Sequence, residues 1–121
     1  MEKESTVVQG RVAESLAADY LEKQGLRVLM RNFRVRGGEI DLVCQDGATL
    51  VFVEVRLRTR RDFGSAADSI TAHKRRRLVL AARHYLLRYR IRVPCRFDCI
   101  LLAAADEAHL EWLRDAFSAD D

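Results

Sequence analysis

The sequence predicts an α/β fold in which helices flank one mixed β-sheet, with the elements in the order αβββαβ. Three observations support this prediction. Residues 38–58 have the pattern of two strands joined at Asp46-Gly47, a dipeptide typical of tight hairpin turns. Residues 69–89 carry an apolar stripe with helical spacing, and residues 95–104 alternate as a further strand would. A helix between the third and fourth strands permits a parallel crossover.

Composition favours one globular domain spanning residues 1–121, because 49% of the chain is hydrophobic and a chain of this length can bury a core. No segment approaches the ~18 apolar residues of a membrane span. No apolar signal region follows the first residues, so we expect a cytoplasmic protein. The cysteines Cys44, Cys95 and Cys99 fall in predicted strands without zinc spacing, and we expect them to be reduced core residues.

The first helix is predicted for residues 5–24, with Gly25 as its end. The apolar arc that should face the sheet comprises Ala13, Leu16, Ala17, Tyr20 and Leu21. Glu14 lies at the edge of this arc. It can bend out to water as a boundary residue, or it can point at the same site as the carboxylates of the hairpin. A first strand over residues 26–36 is expected to follow.

The hairpin carries two carboxylates that can converge on one cation. A loop at positions 46 and 47 would set Asp41 opposite Phe52. The same register sets Glu39 opposite Glu54. Asp41 and Glu54 would then be diagonal neighbours on one face, roughly 7–8 Å apart at the backbone. Because Mg²⁺ and Mn²⁺ prefer carboxylate oxygens, the sequence predicts a divalent-cation site here.

Basic residues are concentrated behind the hairpin, although the net charge is only +3. Residues 56–92 carry twelve Lys or Arg against two Asp, whereas residues 93–121 carry two basic and seven acidic residues. Such a basic surface fits nucleic acid, and a solvated helix face is the alternative. The candidate nucleic-acid contacts are Arg58, Arg60, Arg61, Lys74, Arg75, Arg76 and Arg77.

The second helix is predicted for residues 69–89, and Lys74 lies in line with its apolar stripe, one turn before Leu78. The lysine can reach toward the carboxylates, or its stem can cover apolar surface while its ammonium stays in water. The C-terminal segment is amphipathic and is expected to pack on the domain as a short strand or helix. The three histidines, His73, His84 and His109, show no metal-ligand spacing and are expected to be structural or surface residues.

Two segments, Gly38-Glu-Ile-Asp-Leu-Val43 and Val51-Phe-Val-Glu-Val-Arg56, resemble the signature of the bacterial YraN family of predicted endonucleases. That family is similar to archaeal Holliday-junction resolvases and to the PD-(D/E)XK superfamily. Further resemblance lies in Ala13-Glu-Ser-Leu-Ala-Ala18, Arg31-Asn-Phe-Arg34, Phe63-Gly64, Lys74, Arg96-Phe-Asp98 and Asp115-Ala-Phe117. The resemblance covers nearly the whole chain, and these segments together are far more specific than the superfamily motif alone.

The resemblance implies a restriction-endonuclease-like core and an Mg²⁺- or Mn²⁺-dependent endonuclease acting on DNA, including branched or structured DNA. It implies a homodimer, because resolvase relatives act as dimers. Carried over to this sequence, it makes Asp41 and Glu54 the metal ligands and Glu14 the first-helix acid.

Arg56 departs from the pattern of the superfamily, which usually has lysine at this position. Arginine is always charged and cannot act as a base, although it can orient water or stabilise charge. Lys74 is the candidate replacement for the missing lysine, and it completes a catalytic set with Glu14, Asp41, Glu54 and Arg56. Two other functions stay open, a nucleic-acid-binding module with the nuclease fold but little or no catalytic activity and a protein-interaction domain with a basic face.

Overall fold

The computed structural model describes residues 6–57, 70–103 and 109–119. Its elements are α1 (Thr6–Lys23), β1 (Arg27–Val35), β2 (Gly38–Asp46), β3 (Thr49–Leu57), α2 (Ala72–Arg88), β4 (Cys95–Leu102) and β5 (Leu110–Phe117). The predicted order αβββαβ is confirmed, and the C-terminal segment adds one more strand.

The strands form one sheet in the order β1-β2-β3-β4-β5. The β3–β4 pair is parallel and the other neighbours are antiparallel, so the sheet is mixed and α2 makes the predicted crossover. The α/β architecture, a mixed sheet with two helices, is consistent with a restriction-endonuclease-like core. Neither described helix is long and apolar enough to span a membrane.

The two helices cover opposite faces of the sheet. Ala13, Ala17 and Leu21 repeat every fourth residue of α1 and pack with Val51 and Val53 of β3. Their small side chains allow the helix to lie close to the sheet. On the other face, α2 packs Leu78, Ala81, Ala82 and Tyr85 against a cluster that includes Phe33, Ile40, Phe52 and Phe97.

The start of α2 is fixed by a cap and by close contact with β2. The Thr71 hydroxyl accepts a hydrogen bond from the Lys74 backbone N–H at 3.2 Å. A Cβ atom at Gly38 would lie 2.5 Å from the Arg77 carbonyl oxygen, so only glycine leaves room for the helix backbone here. These two contacts place the first turns of α2 over the start of β2, where Lys74 points toward β3.

The β2–β3 loop is shifted by one residue from the predicted position. Asp46 pairs with Thr49, so the loop is Gly47-Ala48 and the predicted loop at 46 and 47 is wrong. Gly47 takes the left-handed conformation, with φ of +59°, at the first loop position. Asp46 stays in the strand, where its carboxylate forms an ion pair with Arg96, with Nη2 2.9 Å from Oδ2.

The cysteine prediction is correct for two residues and wrong for one. Cys44 and Cys99 are buried, whereas Cys95 is exposed, and all three are free thiols. Cys95 is the first residue of β4. The core prediction for Cys95 therefore failed because a strand end lies outside the packed layer that the alternation describes.

A buried carboxylate fixes β5 on β4. Asp98 is fully buried and accepts hydrogen bonds from Arg96 Nε at 3.0 Å, Trp112 Nε1 at 3.0 Å and the Asp115 N–H at 2.9 Å. The β4–β5 register shifts at this level, and Asp115 has φ of +49°. The carboxylate therefore satisfies a backbone donor that the irregular ladder leaves without a carbonyl partner.

Candidate active site

The central feature of the sheet is a fork between β2 and β3. Their ladder ends at the pair Leu42–Val53. Beyond this pair, β2 continues beside β1 and β3 continues beside β4. Asp41 and Glu54 are the first residues past the last pair, one on each arm. We call these two residues the carboxylate fork.

The fork changes the predicted relation between the two carboxylates. Phe52 pairs with Val43, so the prediction that Asp41 lies opposite Phe52 is wrong. The one-residue shift of the loop brings Asp41 to the level of Glu54 itself. Instead of diagonal neighbours at roughly 7–8 Å, the two residues lie at the same level of the sheet, one on each arm.

The divergence coincides with a reversal of side-chain alternation in β2. Ile40 packs on the α2 side of the sheet, whereas Leu42 packs on the α1 side. A regular strand would place both on one face. Across from Asp41 in β1, Asn32 has φ of +53° and lies between the Arg31–Leu42 and Phe33–Ile40 pairs. Both strands therefore turn at the level of Asp41.

A backbone donor on β3 holds Asp41 in place. Its Oδ2 accepts a hydrogen bond from the Val55 N–H at 2.7 Å. This N–H lies beyond the last β2–β3 pair, so the carboxylate replaces the carbonyl that a continued ladder would supply. Burial and the negative charges of Glu54 and Glu14 raise the pKa of Asp41 from 3.8 to about 8, although the hydrogen bond from the Val55 N–H opposes the shift.

Glu54 lies between the carboxyl group of Asp41 and the ammonium group of Lys74. Burial raises the pKa of Glu54, while Lys74, whose Nζ lies 4.0 Å from Glu54 Oε1, lowers it. Only 14% of the Glu54 side chain is exposed, against 42% of the Lys74 side chain. The ammonium therefore approaches from solvent and neutralises only part of the negative charge of the fork.

The structure brings all five residues of the predicted catalytic set to the fork, from α1, β2, β3 and α2. Glu14 is half-buried on α1, and its negative charge contributes to the raised pKa of Asp41. Arg56 follows Glu54 on the same face of β3, and its positive charge lowers the pKa of Glu54. The predicted edge position of Glu14 and the predicted reach of Lys74 are therefore both observed.

The donor chemistry of the fork fits a hard divalent cation. Two carboxyl groups at the same level of neighbouring strands can present oxygens to one ion, and a bound ion would compete with a proton for them. In the described part of the chain, no three His, Cys, Asp or Glu side chains form a ready ligand set. Mg²⁺ commonly binds through one or two carboxylates and keeps several waters, so this donor set is sufficient.

Cavities lie on both faces of the sheet near the predicted site residues. On the α1 side, Glu14 lines a groove of about 480 Å³ with Gly10, Arg11, Asn32 and Arg34. On the α2 side, a cavity of about 140 Å³ is lined by Glu39, Glu54, His73, Lys74 and Arg77. Sequence reasoning missed Asn32 and the Val55 N–H as parts of the site. Asn32 entered only as part of the resembling segment Arg31-Asn-Phe-Arg34, and a backbone donor has no sequence signature.

The candidate nucleic-acid contacts separate into three groups. Arg58, Arg60 and Arg61 lie outside the described residues. Lys74, Arg76 and Arg77 lie on the first turns of α2 with at least part of each side chain in solvent. Arg75 is held by packing, because its Nε donates to the Ile70 carbonyl at 3.1 Å and its guanidinium lies 5.9 Å from the Phe117 ring centre. All three histidines are exposed.

Comparison with known proteins gives a consistent set of relatives. The model of the uncharacterised protein family UPF0102 matches residues 13–102. A UPF0102 protein of Dechloromonas aromatica (strain RCB) is 61% identical over 118 residues, which cover 98% of this chain and 95% of the relative. A UPF0102 protein of Methylobacillus flagellatus is 57% identical, covering 91% of this chain and 96% of the relative. The UPF0102 protein Nmul_A0195 of Nitrosospira multiformis is 50% identical, covering 93% and 95%.

Proposed function

We propose that this chain, which belongs to the uncharacterised protein family UPF0102, is an Mg²⁺- or Mn²⁺-dependent endonuclease acting on DNA, including branched or structured DNA. The observation that carries the proposal is the carboxylate fork, in which Asp41 and Glu54 lie at the same level on two diverging strands while Lys74 Nζ lies 4.0 Å from Glu54 Oε1. The basic first turns of α2 and the resemblance to the PD-(D/E)XK superfamily support DNA as the substrate.

In the proposed reaction, Asp41 and Glu54 hold the cation, and the Val55 N–H fixes the orientation of the Asp41 carboxylate. A divalent cation bound there would supply polarisation of the phosphate and a lowered pKa of bound water. Lys74 and Arg56 bring positive charge to the position where negative charge develops on the phosphate. Glu14 faces the same site from α1 and orients water toward it.

Cleavage of labelled DNA tests the proposal directly. We expect the purified protein to cut a four-way junction, a flapped duplex or a plain duplex in Mg²⁺ or Mn²⁺ and to leave all three intact in EDTA. A Glu14→Gln variant should cut more slowly, and Glu22→Gln, which changes an exposed acid of the same helix, should not. Intact substrates in both metals would reject the endonuclease.

The second candidate is a nucleic-acid-binding module that keeps the fold without the chemistry, and Arg56 favours it. A guanidinium cannot accept a proton from water, so Arg56 cannot act as the base that the usual superfamily lysine can provide. Salt-sensitive binding of DNA without cleavage in either metal would support this candidate. The homodimer implied by the resemblance stays a prediction under both functions.

Substitutions at Lys74 and Arg56 test whether Lys74 takes the role of the lysine that the superfamily usually has at position 56. We expect Lys74→Met to lower the cleavage rate about 10²-fold, because a positioned cation or proton acceptor near the phosphate is lost. Adding Arg56→Lys to this variant should recover part of the rate, since an ammonium then lies on the same face of β3 as Glu54. Single-turnover rates across a pH series are the measurement. An unchanged rate in Lys74→Met would remove Lys74 from the site.

A further inference from the structure

A cavity of about 510 Å³ lies between α2 and the end of β5. Its apolar wall is formed by Phe52, Val79, Ala82, Leu86, Phe97 and Phe117. A shallower groove of about 350 Å³ continues from it along α2 and shares Val79, Arg83 and Ala119 with it. We call the two together the α2 groove. Its size and its largely apolar wall are typical of sites that take a small organic group.

The α2 groove lies next to the carboxylate fork. Phe52, which lines the cavity, and Glu54 are on the same face of β3, two residues apart. That spacing corresponds to about 7 Å along the strand. When one unit of a chain-like ligand is bound at the fork, the next unit along that ligand can therefore reach the cavity.

The charges of the α2 groove are those that a nucleic-acid strand requires. Helix α2 contains no acidic residue, and Arg75, Arg76 and Arg83 line the groove. Asp115 is the acidic residue among the lining residues of the cavity, and Arg96 beside it is already paired with Asp46 and Asp98. Arg76 and Arg83 are exposed, so their guanidinium groups are accessible to phosphates.

We propose that the α2 groove binds an unpaired nucleotide of the DNA substrate, with the base in the apolar cavity and the flanking phosphates at Arg76 and Arg83. This inference rests on the proposed function, since the nucleotide belongs to the strand that the fork would cut. A paired base cannot enter, because it is stacked inside the duplex and must first be turned out. The groove therefore selects DNA with an unpaired position beside the cleavage site, as at a bulge or a branch.

The test compares a duplex carrying one unpaired 2-aminopurine with the same duplex fully paired, both in EDTA so that no strand is cut. Fluorescence anisotropy of an end label gives the affinities, and 2-aminopurine fluorescence reports the environment of the base. We expect roughly tenfold tighter binding of the bulged duplex, because removing part of the apolar surface of a base from water typically gives a gain of this size. We also expect a change in 2-aminopurine emission on binding.

Two variants locate the effect. Ala119→Trp places a large side chain at the mouth of the cavity from an exposed position and should abolish the preference for the bulged duplex. Arg83→Gln should weaken binding of the bulged duplex severalfold. The matched controls are Leu87→Trp and Arg92→Gln, exposed residues that do not line the groove, and they should preserve the preference. Thermal melting followed by circular dichroism confirms that each variant is folded.

Equal affinity of the wild type for both duplexes, or a preference retained in Ala119→Trp, would overturn the inference. A fluorescent peptide of alternating Leu and Glu is the comparison ligand. If the wild type binds this peptide, Ala119→Trp abolishes that binding and neither protein prefers one DNA over another, the groove is assigned to an acidic protein segment instead. The two proposals fail separately. Selective binding without cleavage in Mn²⁺ rejects only the endonuclease, whereas cleavage without selectivity rejects only the groove.

Discussion

Replacing Asp41 by asparagine is expected to lower metal-dependent DNA cleavage about a thousandfold, which corresponds to roughly 4 kcal/mol of activation free energy. Asparagine keeps a carbonyl oxygen that can accept the hydrogen bond from the Val55 N–H at 2.7 Å, so the fork should keep its shape. It lacks the negative charge that a divalent cation needs. Single-turnover cleavage in Mn²⁺ over a range of metal concentrations is the measurement.

The same variant has a second expected effect, on stability without metal. The pKa of Asp41 is raised to about 8 in the folded protein and is about 3.8 in the unfolded chain, so the folded protein binds the extra proton. The resulting stabilisation is complete below the unfolded pKa and is lost as pH rises through the folded pKa. In EDTA, wild type should therefore become less stable from pH 5 to pH 8. Asp41→Asn should remove most of this slope and be more stable at pH 8, by roughly 1–3 kcal/mol.

The control for both measurements is Asp19→Asn, which changes an exposed acid of α1. It should cut DNA at the wild-type rate and unfold in urea with the wild-type pH dependence. Full cleavage by Asp41→Asn would remove Asp41 from the metal site. An unchanged pH dependence of unfolding in that variant would show that Asp41 is not the protonated group.

Replacing Asp98 by alanine is expected to lower the free energy of unfolding by about 3–5 kcal/mol and the melting temperature by roughly 10 °C or more. The carboxylate is fully buried, and its removal leaves Trp112 Nε1 and the Asp115 N–H without their acceptor. It also leaves Arg96 without the fully buried one of its two acids. Urea and thermal unfolding give the values.

Asp46→Ala is the matched control, because it removes the other acid that Arg96 contacts. Asp46 is 35% exposed, so the cost should be at most about 1 kcal/mol. Activity per folded molecule should be unchanged in both variants, because Asp98 holds β4 and β5 together and lies outside the fork. Equal losses of stability in the two variants would contradict the structural role of Asp98.

The secondary structure was predictable because its signals are local. The apolar stripe of α2 identified the helix and also the direction of Lys74, since side chains four residues apart share a face. The alternation of β3 correctly separated the face of Val51 and Val53 from the face of Phe52 and Glu54. The αβββαβ order followed from these patterns.

The fork was not predictable, because it depends on which strands lie outside the hairpin. Asp46-Gly47 indicated the turn, but the register depends on which loop position the glycine occupies, and the Arg96–Asp46 contact involves a strand far along the chain. The divergence at Leu42–Val53 arises because β1 and β4 hold the two arms apart. The structural role of Asp98 was not predictable, because Trp112 and Asp115, which donate to it, lie in β5. The sequence predicted that segment only as a short strand or helix, and Asp98 was noted only as part of a resemblance.

The fork also divides one end of the sheet into two lobes. One lobe consists of the first half of β2 with β1, and the other consists of the second half of β3 with β4. The lobes join at the β2–β3 ladder that ends at Leu42–Val53, and β1 and β4 flank this ladder too. Asp41 belongs to one lobe and Glu54 to the other. The distance between the carboxylates is therefore set by the angle between the lobes, and a bound cation would act as a clasp across the open end. Substitutions of the apolar residues of this ladder, which carry no charge themselves, would change the separation of the two carboxylates.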